Sequence, residues 1–176
     1  MSLTFQQPNA SRYSRASGRN SVVVAPIECS DMDEDALKAL AAKVAGSLLP
    51  GDVLVLKGQV GAGKTTFARA AARALGVREA VTSPTYQFAR SYEGRVGGRP
   101  IRVNHLDLFR LEELDARDAL DLDEYLEADS VTLIEWAGPA LGLLADPSVV
   151  EILYQSPTTR RARLSGPVAV RLLATC

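Results

Sequence analysis

Cysteine and histidine are scarce in this chain, and their scarcity excludes several chemistries. The two cysteines, Cys29 and Cys176, lie near opposite ends and form no CxxC or metal-ligand spacing. Two isolated thiols suit a reducing compartment, so a cytoplasmic location is expected. His105 is the single histidine. It cannot build a zinc site by itself and is expected to be structural or to support a neighbouring group. No apolar run is long enough to span a bilayer, so no membrane partner is expected. Net charge is −1 over 176 residues, so the chain as a whole is not a polyanion binder. Any nucleic-acid role then needs a local patch or a partner protein. The opening "MSLTFQQPNASRYSRASGRN" lacks the apolar core of a secretory leader. It reads as a flexible extension over residues 1–20, ahead of one domain over residues 21–176. A transit peptide shares its Ser- and Arg-rich composition.

What is present is a globular composition, with 47% hydrophobic and 23% charged residues. "SVVVAPI" at 21–27 predicts a strand. "CSDMDEDALKALAAKVAGSLLPG" predicts a helix capped by Ser30 or Asp31, with Leu37, Leu40, Ala41 and Val44 on one face and Gly51 as its stop. "DVLVLKG" predicts a buried strand, and "KTTFARAAARALG" a helix ended by Gly76. Two extended runs around Gly97-Gly98 predict a β-hairpin. "LEELDARDALDLDEYLEA" reads as helical, and "SVTLIEWAG" as a strand. "SVVEILYQ" and "RRARLSG" predict a second hairpin, and "PVAVRLLATC" is ambiguous between strand and helix. The pattern is an α/β domain with a mixed sheet.

Between the buried strand and its helix runs "GQVGAGKTT". Gly58-x-x-x-x-Gly63-Lys64-Thr65 satisfies the phosphate-loop pattern in its required strand–helix context. Glycines there let successive amides turn inward as an anion nest, and the helix start adds its positive dipole end. Lys64 can reach β- and γ-phosphates, and the Thr65 hydroxyl can ligate Mg²⁺. The bland alternative is a tight Gly-rich turn.

Such a loop needs an acidic partner. Glu135 directly follows the apolar run 131–134, at a strand end where open α/β sheets place ligand chemistry. Asp107 in "VNHLDLFR" is the second candidate, with helix capping as its alternative role. "TSPTY" at 82–86 is placed as a switch segment or a Pro turn. Trp136 reads as core. The cluster Arg160, Arg161 and Arg163 reads as a solvated hairpin edge or a nucleotide contact. No N-K-x-D guanine signature occurs, which argues against a GTPase.

"GQVGAGKTTFARA", "TSPTYQF", "HLDLFRLEEL" and "LIEWAG", in this order and spacing, resemble the bacterial tRNA threonylcarbamoyladenosine biosynthesis ATPases, the TsaE family. The resemblance covers roughly residues 22–166. It implies a three-layer P-loop fold around a mixed central sheet, binding ATP and Mg²⁺. It implies that ATP hydrolysis supports turnover of TsaD-like and TsaB-like partners, with tRNA engaged indirectly through that complex. It implies that Gly61, Ala62, Gly63, Lys64, Thr65 and Thr66 bind phosphates, with Arg160 also touching nucleotide. Thr65 and Glu135 would bind Mg²⁺, and Lys64, Asp107 and Glu135 would carry hydrolysis. The sequence departs from the family pattern at Gln59, where Asp is usual, at Phe109, where Tyr is common, and at Ala137, where Pro is common. The runner-up is a small-molecule kinase, with the arginine cluster imitating a lid.

Overall fold

The computed structural model describes residues 25–82, 88–109 and 122–174. In chain order these form β1 (Ile27–Met32), α1 (Glu34–Ala45), β2 (Val53–Lys57), α2 (Lys64–Ala74), β3 (Ala89–Val96) and β4 (Arg99–Asp107). A 3₁₀ turn at Leu122–Tyr125, β5 (Ser130–Glu135) and a 3₁₀ segment at Gly138–Leu143 follow. The chain then makes β6 (Ser148–Tyr154), β7 (Arg160–Ser165) and α3 (Pro167–Ala174). "TSPTY" beyond Thr82, and the helical stretch up to residue 121, lie outside the described residues.

The strands form one mixed sheet in the order β1-β7-β6-β2-β5-β4-β3. β2 is central and parallel to both β5 and β6, and β4 is parallel to β5. The hairpin strands β3 and β7, and β1 beside β7, are antiparallel additions. The four parallel strands therefore bring their C-terminal ends to one edge of the sheet, which is where open α/β sheets bind ligands.

Alternation of side chains along the strands sorts the core into two layers. Leu54, Leu56, Leu133 and Ile152 pack with residues of all three helices on one face. Val55, Leu106 and Ile134 pack on the other face with Leu122 and Ala140 of the 3₁₀ segments. Among the described residues, the layers are helices, sheet, and a cover of short 3₁₀ segments. The buried face of α2 is Phe67, Ala68, Ala71 and Ala72. Its small alanines let the helix backbone lie close to the sheet, while Phe67 contributes about 1.5–3 kcal/mol of burial. No described helix is long and apolar enough to cross a membrane.

Both hairpins form as expected. Gly97 and Gly98 have φ of 55° and 80°, the positive values that a tight two-residue hairpin turn of the primed type requires. The ambiguous tail becomes α3, begun by Pro167, whose fixed φ suits a first helical position. The Ser148 hydroxyl accepts from Val168 N at 3.0 Å and serves as its cap from a distant strand.

The N-terminal assignments need correction. Of the strand expected at 21–27, residues 21–24 lie outside the described residues; the described strand is Ile27–Met32, and α1 is capped by Asp33 rather than Ser30 or Asp31. The Asp33 carboxylate accepts from Ala36 N at 2.8 Å. Ile27, Cys29 and Met32 point inward, and pairing with β7 shifts register between Cys29 and Met32. That irregularity hides the alternation behind polar letters. The helix also ends before Gly51, at Ala45, because the Gly46 amide caps the carbonyls of Ala42 and Val44. Gly51 instead donates to Ser130 O and starts the turn into β2. Burial pushes the Cys29 thiol above its ordinary pKa, with Lys43 partly opposing the shift.

Candidate functional site

The loop after β2 lies at the C-terminal edge of the parallel strands. Gly61 and Gly63 have φ of 75° and 109°, a region that other L-residues adopt with strain. A side chain there would also require a neighbour to shift. A Cβ on Gly61 would stand 2.6 Å from the Tyr154 hydroxyl, and one on Gly63 would stand 2.8 Å from Leu37 Cδ2. Gly63 caps α2 and makes no side-chain cap hydrogen bond. Amides at the positive end of an 11-residue helix suit an anion.

Lys64 is buried, 5% exposed. Its ammonium donates to Gly58 O at 2.8 Å and Gln59 O at 3.0 Å. It also lies 3.9 Å from the centroid of the Trp136 ring, a cation–π contact. Trp136 is therefore part of the site and not simply core, as the sequence had suggested. Its φ of 56° is unusual for a bulky residue. The turn is braced by Leu108 N donating to Glu135 O at 3.0 Å, and by Phe109, whose ring centroid is 4.8 Å from that of Trp136.

One of the two expected carboxylates, Glu135, meets the start of α2. Thr65, in the first turn of α2, donates its hydroxyl to Glu135 Oε2 at 2.9 Å. The other oxygen, Oε1, lies 2.9 Å from Nε2 of His105, which is wholly buried. Three elements thus converge on one carboxylate: α2, β4 and β5. Asp107 pairs directly with Glu135 in the parallel register of β4 and β5. Neighbouring strands run about 4.8 Å apart, so the two residues are neighbours on one face at the strand ends. Asp107 Oδ1 also accepts from Phe109 N at 3.2 Å. This is a local side-chain-to-backbone bond; the helix that Asp107 was alternatively expected to cap lies outside the described residues.

Arg160 begins β7 and reaches back to the loop. Its Nε donates to Ala62 O at 3.1 Å, and its Nη1 donates to Thr159 O at 2.9 Å. The guanidinium lies 4.1 Å from the centroid of the Tyr154 ring, and the Tyr154 hydroxyl donates to Val60 O at 3.2 Å. Gln155 and Asp31 exchange two bonds, from Asp31 N at 2.9 Å and from Gln155 Nε2 at 2.6 Å, tying this hairpin to the β1–α1 junction. Tyr154 and Gln155 were missed by sequence reasoning. No local pattern signals that a hairpin so far along the chain will grip the loop.

The arrangement suits a magnesium nucleotide. A hydroxyl and a carboxylate are hard oxygen donors, and Mg²⁺ characteristically takes one or two protein oxygens, with phosphates and waters completing its shell. No group of three or more His, Cys, Asp or Glu side chains suited to a metal occurs among the described residues. That is compatible with such a sparse shell. Glycine nest, helix start, Lys64 and the Thr65–Glu135 pair all lie within one short stretch of the strand edge.

Comparison with known proteins agrees with this geometry. Residues 32–163 match the family model of the threonylcarbamoyl adenosine biosynthesis protein TsaE. The tRNA threonylcarbamoyladenosine biosynthesis protein TsaE of Bacillus subtilis is 42% identical over 100 residues, 57% of this chain and 60% of that protein. The protein of the same name from Streptomyces coelicolor is 44% identical over 101 residues, 57% of this chain and 66% of that protein. The matches thus span somewhat less than two thirds of these relatives. A crystal structure of Bacillus subtilis YdiB superposes with a TM-score of 0.67 at 29% identity, covering 89% of this chain and 95% of that one. Phosphate loop, strand-end carboxylates and mixed sheet are carried together by a chain that belongs to the TsaE family.

Proposed function

We propose that the chain is a magnesium-dependent ATPase that supports threonylcarbamoyladenosine modification of tRNA. The observation carrying the ATPase reading is the Thr65 hydroxyl bonded at 2.9 Å to Glu135, beside the glycine loop. The pathway rests on family membership. Amides of Gly61 to Thr66 and the Lys64 ammonium bind the phosphates, and Arg160 completes this nucleotide-binding set. Thr65 and Glu135 hold Mg²⁺. Asp107 and Glu135 share the acidic work of metal binding and of orienting the attacking water. Bound ATP supplies the transferable phosphoryl group. The chain's contribution is to position it and to exclude competing geometries. Hydrolysis supports repeated turnover of TsaD-like and TsaB-like partners in the cytoplasm, with tRNA engaged through them.

The kinase reading has less support. Arg160 is bound to the loop, and Arg163 lies 3.0 Å from Glu28 of β1 as an ion pair. Neither is poised as a lid over an acceptor.

The test is a reconstitution of tRNA modification with the TsaD-like and TsaB-like partners, with and without this chain and ATP. Multiple turnovers are expected to require both. Equal multiple-turnover yield without the chain would refute the role. In the same assay Lys64→Ala is expected to abolish support. It is also expected to weaken nucleotide binding by about tenfold or more, because charge-assisted hydrogen bonds to phosphate are lost.

A further inference from the structure

The β6–β7 hairpin does more than border the loop. A trans peptide is planar, with its C=O and the following N–H pointing in opposite directions. Whatever holds a loop carbonyl on one side therefore aims the next amide to the other side. The Tyr154 hydroxyl donates to Val60 O at 3.2 Å, which fixes the peptide whose amide belongs to Gly61. Arg160 Nε donates to Ala62 O at 3.1 Å, which fixes the peptide whose amide belongs to Gly63. These are alternate peptides of the loop, and the two glycines carry positive φ.

The two donors are themselves braced. Arg160 stacks on the Tyr154 ring at 4.1 Å and bonds the carbonyls of Ser156 and Thr159 at 3.4 and 2.9 Å. The Ser156 hydroxyl accepts from the amides of Thr158 and Thr159, which ties the hairpin tip to itself. Gln155 then anchors the hairpin to Asp31. The loop's glycines are thus held from outside by a hairpin that is itself hydrogen-bonded at its tip and to Asp31.

We infer that Tyr154 and Arg160 are positioning residues for the phosphate site, each aiming one loop amide: Tyr154 that of Gly61, and Arg160 that of Gly63. The inference rests on the nucleotide-binding reading above. It implies that the hairpin sets nucleotide affinity by orienting backbone donors.

The test is an NMR titration of the full chain, labelled with ¹⁵N-glycine, with magnesium ADP. In the wild type the Gly61 and Gly63 amides are expected to shift downfield as they meet phosphate oxygens. Tyr154→Phe keeps the ring and removes only the hydroxyl. It is expected to reduce the Gly61 shift, to leave that of Gly63, and to weaken ADP binding by about threefold to tenfold. Arg160→Met is expected to do the converse. Should that variant fail to fold, Arg160→Lys, which keeps the charge but lacks the Nε donor, gives the same readout. Wild-type shifts and affinity in both variants would overturn the assignment. So would equal loss of both glycine shifts in each variant, since that signals general loosening of the loop. A wild-type chain showing no glycine shift and no ADP binding would instead overturn the nucleotide reading itself.

Discussion

His105 has no exposed surface, and its Nε2 meets a carboxylate that is itself 2% exposed. A buried carboxylate needs its lone pairs satisfied, and here Thr65 and His105 each serve one oxygen. Replacing His105 by Ala opens a cavity and strips Glu135 Oε1 of that partner. The expected loss is about 2–4 kcal/mol of stability, read from urea denaturation. A wild-type midpoint would show that His105 does not hold Glu135 in place. Sequence reasoning placed Glu135 at the site because an acid ending an apolar run marks a strand end beside ligand. It assigned His105 only a supporting role, without naming what it supports. The contact spans 30 positions and depends on the parallel register of β4 and β5, which no local spacing encodes.

Single elements were legible to different degrees. The β3–β4 hairpin was readable because two glycines separate two extended runs, and positive φ at both positions matches what glycine permits. At Gly98 a Cβ would meet nothing within 4 Å, so any penalty for a side chain there is conformational rather than steric. Gly98→Val is therefore expected to destabilise the chain by about 1–2 kcal/mol, measured by chemical denaturation, with nucleotide binding retained. An unchanged midpoint would mean that the turn relaxes into another type. The first described strand runs further along the chain than expected, for the opposite reason. "SVVVAPI" is more apolar than "IECSDM", yet an edge strand beside β7 needs only Ile27, Cys29 and Met32 facing inward. Hydrophobicity outranked register in the reading, whereas register decides in the fold. The helix end at Gly46 was overlooked because a glycine followed by Ser-Leu-Leu resembles a helix interior as much as a cap.

At the scale of the whole molecule, the site is assembled from the edge where β2, β4, β5 and β6 all end. Ligand bound there contacts segments that are far apart in sequence, so binding reports on the entire sheet. Magnesium ADP at about 100 times its Kd is expected to add about 2.7 kcal/mol of stability. For a domain of this size that corresponds to an increase in Tm of about 5–10 °C in a thermal melt. The increase is expected to vanish in Lys64→Ala, and an equal increase in that variant would place the nucleotide elsewhere. The α/β class, the mixed sheet and the phosphate loop could all be read from local pattern. The strand order could not, because nothing local says that β2 lies between β5 and β6.

That central placement bears on how the protein is made. β2 and its loop emerge early from the ribosome, but the two strands that flank β2 end only at Glu135 and Tyr154. Until both have been synthesised, the loop's strand lacks a neighbour on at least one side. Pairings of such long sequence separation form late and slowly. A nascent chain halted before residue 148 would carry the whole phosphate-loop motif on a strand still lacking its β6 neighbour.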